Sequence, residues 1–267
     1  MNRPLNHQFS CSSCNWTSEP SPNLLLCCSC GAPLDVLYHE GFTPIVSPIG
    51  WIGPDIPLPV TQQSDFITLG EGNTPVVKLK NSKSFLPENT YTKLEFQNPS
   101  ASFKDRGTTV MVSVLREFGI NEFVEDSSGN AGASLSAYAA RANMVAHIFT
   151  PSTAPQAKIE QIKIYGARTH LVDGPREAAY EAAFEYHERH HLCYASHNMS
   201  PYFLEGTKTF AYEIVQQFKG QMPKHIVMPV GNGSLLIGTW KGFLELKHQG
   251  LLDTIPELHC IQAKPVQ

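Results

Sequence analysis

Downstream of residue 100, apolar and polar positions alternate between a helical and a strand period. Val112, Leu115 and Phe118 recur at helical spacing before Gly119 stops the run. Ser102 and Asp105 stand three apart as in a capping box, so the helix is expected to begin there, with Lys104 in its first turn. Short apolar runs at 122–125, 145–150, 169–172, 191–195 and 226–229 read as strands. Between and after them, 131–142, 156–165, 175–190, 203–218 and 235–248 read as helices. Strand, loop and helix in repeated succession predict an α/β fold, a parallel sheet with helices on both faces. Ahead of this region, 76–79 reads as a strand after the turn-rich Leu69-Gly70-Glu71-Gly72-Asn73-Thr74-Pro75. Pro44, Pro48, Pro54, Pro57 and Pro59 forbid regular structure between 41 and 60, which predicts an extended linker wrapped on the surface.

Composition narrows the class. The 267 residues are 42% hydrophobic and 16% charged, as in a globular protein of one or two domains. No apolar run approaches the ~20 residues of a membrane span, and the polar start is unlike a signal peptide, so the chain reads as cytoplasmic and free of membrane. A net charge of -4 gives no general attraction to nucleic acid. Four of seven cysteines form Cys11-x-x-Cys14 and Cys27-x-x-Cys30, the spacing of a ribbon holding structural Zn²⁺ through four thiolates. Cys28, beside Cys27, leaves that ligand set open, while Cys193 and Cys260 read as small core residues. Residues 5–77 contain no lysine or arginine, so this ribbon has nothing with which to contact phosphates and reads as structural or as a protein contact.

The candidate chemistry centres on Lys104. A cation is poorly placed at a helix start, and the local field favours the neutral amine that condenses with an aldehyde. Two strand-to-helix junctions are glycine-rich: Ser127-Ser128-Gly129-Asn130-Ala131-Gly132 and Val230-Gly231-Asn232-Gly233-Ser234. Each brings backbone N–H groups and hydroxyls to a helix N-terminus, which suits a carboxylate or phosphate. Neither is a dinucleotide or triphosphate loop. One lysine, one phosphate cradle and one carboxylate cradle match pyridoxal 5'-phosphate with an amino-acid substrate. Asp105 and Arg106 read as supports of the helix start, and His187, His190 and His191 as a solvated cluster at a helix end.

These segments, with Ser102-Phe103-Lys104-Asp105-Arg106 and Leu204-Glu205-Gly206-Thr207-Lys208-Thr209, resemble threonine synthases among the fold type II pyridoxal-phosphate enzymes. The resemblance implies a tryptophan synthase β-like fold: two lobes of parallel-rich sheet with helices on both faces, preceded by a zinc-ribbon-like segment. It divides the sequence into 8–36 (ribbon), 41–62 (linker) and 63–267 (catalytic domain). It implies Lys104 as cofactor-bound lysine and acid/base, and Asn130 as partner of the cofactor ring oxygen. Ser127, Ser128, Gly129, Asn130, Ala131 and Gly132 then form the substrate-carboxylate loop, and Gly231, Asn232, Gly233 and Ser234 the phosphate cradle.

The implied reaction converts O-phosphohomoserine and water to threonine and phosphate, in a homodimer. The family pattern asparagine-serine-x-asparagine-proline-x-arginine reads here from His197 to Phe203, putting phenylalanine where arginine would grip the substrate phosphate. Lyases or β-replacement enzymes acting on serine, threonine, O-phosphoserine or diaminopropionate are the alternatives, as is an inactive homologue. Lys158 and Lys208 are candidate substitutes for the missing arginine. The resemblance also implies sequence beyond Gln262-Ala263, carrying the group that faces the pyridine nitrogen and the last strands of the sheet.

Overall fold

The computed structural model describes residues 5–39, 56–61, 66–80, 87–219 and 221–263. Three antiparallel strands come first, with β1 (His7–Cys11) between β2 (Thr17–Ser18) and β3 (Leu34–Tyr38). Phe9, Leu34 and Val36 alternate inward and join the main hydrophobic core, so the ribbon is packed onto the body of the protein. A short antiparallel pair follows, β4 (Val76–Lys78) with β5 (Tyr91–Lys93).

Helix α1 (Lys104–Glu117) is the central pillar. Residues 105–115 are all buried, wider burial than the one-sided apolar stripe predicts, because α1 is packed between neighbouring helices. After it come β6 (Glu122–Glu125), α2 (Asn130–Ala142), β7 (Val145–Pro151), α3 (Gln156–Ile164), β8 (Arg168–Val172), α4 (Arg176–His190) and β9 (Cys193–Tyr194). These four strands form one parallel sheet in the order β8-β7-β6-β9. Alternation sends Phe123, Ile148 and Cys193 into the main core, while Val124, Phe149 and Tyr194 meet Ala183 of α4 on the opposite face. The two-faced α/β expectation holds.

The polypeptide then runs through α5 (Pro201–Thr207), α6 (Thr209–Gln217), β10 (His225–Pro229), α7 (Ser234–His248) and β11 (Glu257–Ile261), with β10 and β11 parallel. Helices α5 and α1 cross so closely that a Cβ on Gly206 would lie 1.9 Å from the Arg106 carbonyl oxygen.

Several expectations change. The run 203–218 divides at Lys208 into the end of α5 and α6. The second parallel sheet has only two described strands. Cys260 is exposed, because β11 lies at an edge with Ile261 also open to solvent, whereas Cys193 is buried. The capping box does not form: Asp105 instead accepts from the Ser100 N–H at 2.6 Å and its hydroxyl at 2.5 Å. The linker expected on the surface is internal where described, with Ile56, Leu58 and Val60 in the core; 41–55 and 62 lie outside the described residues. Among the described residues no helix is long and apolar enough to cross a membrane.

Candidate active site

The four-stranded sheet begins at β6, adds β7 and β8 on one side, then receives β9 on the other. Connections leave β6 and β9 in opposite directions, opening a crevice beyond their carboxyl ends, the usual ligand position in a parallel sheet. Glu125 and the Ser127–Gly132 loop leave β6 there, and Ser196, His197 and Asn198 leave β9.

Lys104, the first residue of α1, is half-buried against this crevice. Its Nζ lies 3.3 Å from Ser234 Oγ, 4.8 Å from the centre of the Phe103 ring and 5.3 Å from that of Phe203. Burial lowers its pKa to about 8, opposed by the negative charge of Glu125. The neutral-amine expectation thus holds in direction, with burial as its cause.

Both glycine loops lie at strand ends, and the structure joins one to Lys104. In the second, Gly233 takes the left-handed conformation (φ +88°) and turns the backbone into α7, where Ser234 meets Lys104. Gly231 and Asn232 are exposed, and the Asn232 side-chain amide donates to Asn198 Oδ1 at 2.6 Å. In the first loop, Ser127 Oγ accepts from the Gly129 N–H at 3.3 Å. Asn130, at the start of α2, is exposed, and Ser128 and Gly129 are half-buried. Ala131 and Gly132 are buried, and a Cβ on Gly132 would stand 2.2 Å from the Ser127 carbonyl oxygen. Ser134 fixes α2 to α1, donating to Asp105 at 2.5 Å and lying 2.8 Å from the Thr108 hydroxyl.

A buried dyad in this crevice has no counterpart among the residues expected from sequence. Glu125 is fully buried, which pushes its carboxyl up, and both its oxygens hold His197: Oε1 is 2.5 Å from Nδ1, and Oε2 accepts the backbone N–H at 3.2 Å. The two residues lie 72 positions apart at the ends of different strands, so no spacing rule unites them. The available signal was an acid closing the otherwise buried run Phe123-Val124-Glu125.

The sequence profile of the family described as "Pyridoxal-phosphate dependent enzyme" matches residues 67–267. The protein belongs to that family. A curated relative from Methanocaldococcus jannaschii, "Threonine synthase", is 34% identical over 96% of this sequence and 66% of its own length. Another of that name from Synechocystis sp. is 35% identical over 77% of this sequence and 54% of its own. The 267 residues therefore span little more than half to two-thirds of these relatives. Among solved structures, the processed form of threonine deaminase isoform 2 from Solanum lycopersicum superposes with a TM-score of 0.58 at 28% identity, covering 65% of this protein and 46% of that one.

The site fits the cofactor of this pyridoxal-phosphate family. Lys104 offers a half-buried amine whose pKa is lowered towards the neutral form, and the glycine turn beside it opens onto the N-terminus of α7. Other ionic residues nearby are structural. Arg106 is fully buried and bonded to Glu95 at 2.7 Å and Glu213 at 2.7 Å, in keeping with its expected supporting role. Lys208 is fully buried between Glu205 at 2.5 Å and Glu245 at 2.9 Å, so it is not a free phosphate grip. Lys158 bonds to Gln161 at 3.0 Å on α3.

The cysteines also converge. Sulfur separations are 3.5 Å for Cys11–Cys30, 3.8 Å for Cys14–Cys27 and 3.7 Å for Cys14–Cys30, while Cys28 is outside the cluster. A tetrahedron with Zn–S bonds of about 2.3 Å has edges of about 3.8 Å, so these four thiols fit such an ion. The Ser13 N–H lowers the Cys11 thiol pKa to about 6, while the neighbouring Cys11 sulfur pushes the Cys14 and Cys30 thiols up.

Proposed function

We propose that this protein is a pyridoxal-phosphate dependent carbon–oxygen lyase of threonine-synthase type. The carrying observation is Lys104, a half-buried amine with a pKa near 8 set against Ser234 at the start of α7. When bound, pyridoxal 5'-phosphate supplies an electron sink for the substrate carbon bearing the amino group. Lys104 holds the cofactor and then moves protons at the neighbouring carbon atoms. The Gly231–Ser234 turn binds the cofactor phosphate, Asn130 holds its ring, and the Ser127–Gly132 loop orients the substrate carboxylate. The thiolates of Cys11, Cys14, Cys27 and Cys30 hold a structural Zn²⁺ that fixes the ribbon.

Conversion of O-phosphohomoserine and water to threonine and phosphate is the reading supported by the relatives' names. Loss of a hydroxyl from a β-hydroxy amino acid is the second reading. It is favoured by Phe203, buried beside Lys104 where a phosphate would need a cation.

The visible spectrum of the protein with pyridoxal 5'-phosphate tests the common part. A band near 410 nm, typical of a lysine-bound cofactor, is expected in the wild type and not in Lys104→Ala. Identical spectra for the two refute the assignment of Lys104. Stoichiometric zinc released on thiol modification, and lost in Cys14→Ser, is the expectation for the ribbon.

A further inference from the structure

The crevice wall opposite the first glycine loop carries a group that the proposed role of Lys104 does not use. His197 leaves β9 and is almost completely buried. Glu125 holds it at both ring Nδ1 and backbone N–H, while the neighbouring Asn198 is tied to Asn232 of the second glycine turn. One ring nitrogen and the backbone are thus fixed, and Nε2 remains for another partner. Phe203 joins the two sides of the site: its ring centre is 5.3 Å from Lys104 Nζ and 6.0 Å from the His197 ring.

Charge around this wall disfavours a phosphate dianion. A cleft of about 350 Å³ borders it, lined by Asp126, Arg176, Glu177, Tyr194, Ser196 and Asn198 among others. Its single guanidinium, Arg176, is paired with Asp126 at 3.1 Å, and Glu177 adds a second carboxylate. Fully buried Glu125 lies behind His197. A neutral hydroxyl encounters none of this repulsion, but it leaves poorly unless it is protonated.

We infer that His197, oriented by Glu125, is the general acid that protonates a neutral leaving group, and that the substrate is a β-hydroxy amino acid such as L-threonine or L-serine. The inference rests on the pyridoxal-phosphate reading of Lys104. As the C–O bond at the substrate β carbon breaks, its electron pair remains on oxygen, the His197 Nε2 proton joins that oxygen, and water departs. Lys104 takes the proton from the neighbouring carbon, and the C–H pair becomes the new C=C bond. Solvent returns a proton from Lys104 to His197, so the dehydration needs no oxidant or reductant. Glu125 is a positioning residue. The other titratable groups facing the dyad are Asp126, Lys104 and Tyr194.

The test uses the 267-residue protein loaded with pyridoxal 5'-phosphate, alongside His197→Asn and Glu125→Gln. A Lys104-dependent absorption band in all three shows that the cofactor site is intact; its absence from the wild type overturns the reading beneath the inference. With the band present, keto-acid release from L-threonine should exceed phosphate release from O-phosphohomoserine at least tenfold. His197→Asn should lower kcat about 10²- to 10⁴-fold with little change in KM, the range for loss of a general acid. Glu125→Gln should lower kcat less. Keto-acid release from L-threonine that survives His197→Asn at the wild-type rate, or wild-type phosphate release that matches keto-acid release, overturns the inference.

Nitrogen-15 NMR of histidine supplies a readout independent of turnover. Neutral His197 should carry its proton on Nδ1 in the cofactor-free protein, and lose that preference in Glu125→Gln. Adding L-threonine to the loaded protein should shift Nε2. A proton on Nε2 in the neutral wild type, or no response to L-threonine, overturns the assignment even if neither substrate is turned over.

Discussion

Arg106→Met removes the cation at the centre of the most deeply buried charge network. The guanidinium is fully buried, bonded through Nε and one terminal nitrogen to Glu95 and through both terminal nitrogens to Glu213. Lys93 reaches Glu213 at 2.8 Å. Although burial itself opposes ionisation, the charges of Arg106 and Lys93 lower the Glu213 carboxyl from its ordinary 4.5 to about 2. At about 1.36 kcal/mol for each pH unit, that displacement is worth about 3 kcal/mol to the folded protein. Removing one partner from a buried ion pair costs about 3–5 kcal/mol, because the remaining charge is uncompensated. Both figures are similar, and Lys93 retains part of the interaction, so about 3 kcal/mol is the expected loss at pH 7.

The sign of the pH dependence follows from the lowered carboxyl pKa. This stabilisation is fully present above pH 4.5, where unfolded glutamate is ionised, and is lost as pH falls through about 2. Urea unfolding of wild type and Arg106→Met from pH 7 to pH 2 should show their difference narrowing below pH 4.5. Glu205 also titrates near 2, but its partners are intact in both proteins, so its contribution largely cancels in the difference. Adding Glu213→Gln to Arg106→Met should recover part of the loss by removing one stranded charge. A difference of less than about 1 kcal/mol at pH 7, or one that widens on acidification, refutes the reasoning.

Lys104, with a pKa near 8, should be half neutral at pH 8, against about 0.3% for a lysine at its ordinary 10.5. In the cofactor-free protein it should therefore react with formaldehyde and cyanoborohydride ahead of the exposed lysines. Peptide mapping after brief labelling checks this, and labelling no faster than at Lys224 refutes it. Lys208→Met should lower stability by about 3 kcal/mol in urea unfolding, since Glu245 loses the cation bonded to it and Glu205 keeps only Lys241. If any substrate is turned over, the KM of the folded variant should stay within about twofold of wild type, and a larger rise would return Lys208 to substrate binding.

Local chemistry was legible wherever neighbours in sequence carried it. The β6–α2 and β10–α7 junctions show as apolar runs broken by glycine, and the structure places Ser234 against Lys104. Edge character was not legible. Cys260 lies in an apolar run, yet nothing in that run reveals that β11 lacks a covering layer among the described residues. Proline spacing likewise reports that 56–60 is extended, while Ile56, Leu58 and Val60 go inward because the core accepts every second residue. Least visible was His197, whose meaning depends on β9 lying beside β6 and Glu125. In the sequence that segment stands out only as a departure from a family pattern, and its partner is 72 residues away.

The ribbon and the Lys104 site share one support. Lys241 on α7 pairs with Asp35 on β3 and, at 2.5 Å, with Glu205 on α5, and Glu205 also accepts from Tyr38 on β3. Two residues along α5, Thr207 Oγ1 donates at 3.1 Å to the carbonyl of Ser234, the residue against Lys104. A Cβ on Gly238 would lie 2.0 Å from that threonine oxygen, so α7 and α5 are in contact at backbone distance there. Strand β3 therefore helps fix the start of α7. Because Lys241 is countered by Asp35 and Glu205 together, moving the ribbon would leave a buried cation with one partner fewer beside α7. Ordering the cysteine cluster and ordering the Lys104 site are thus coupled through charge and packing.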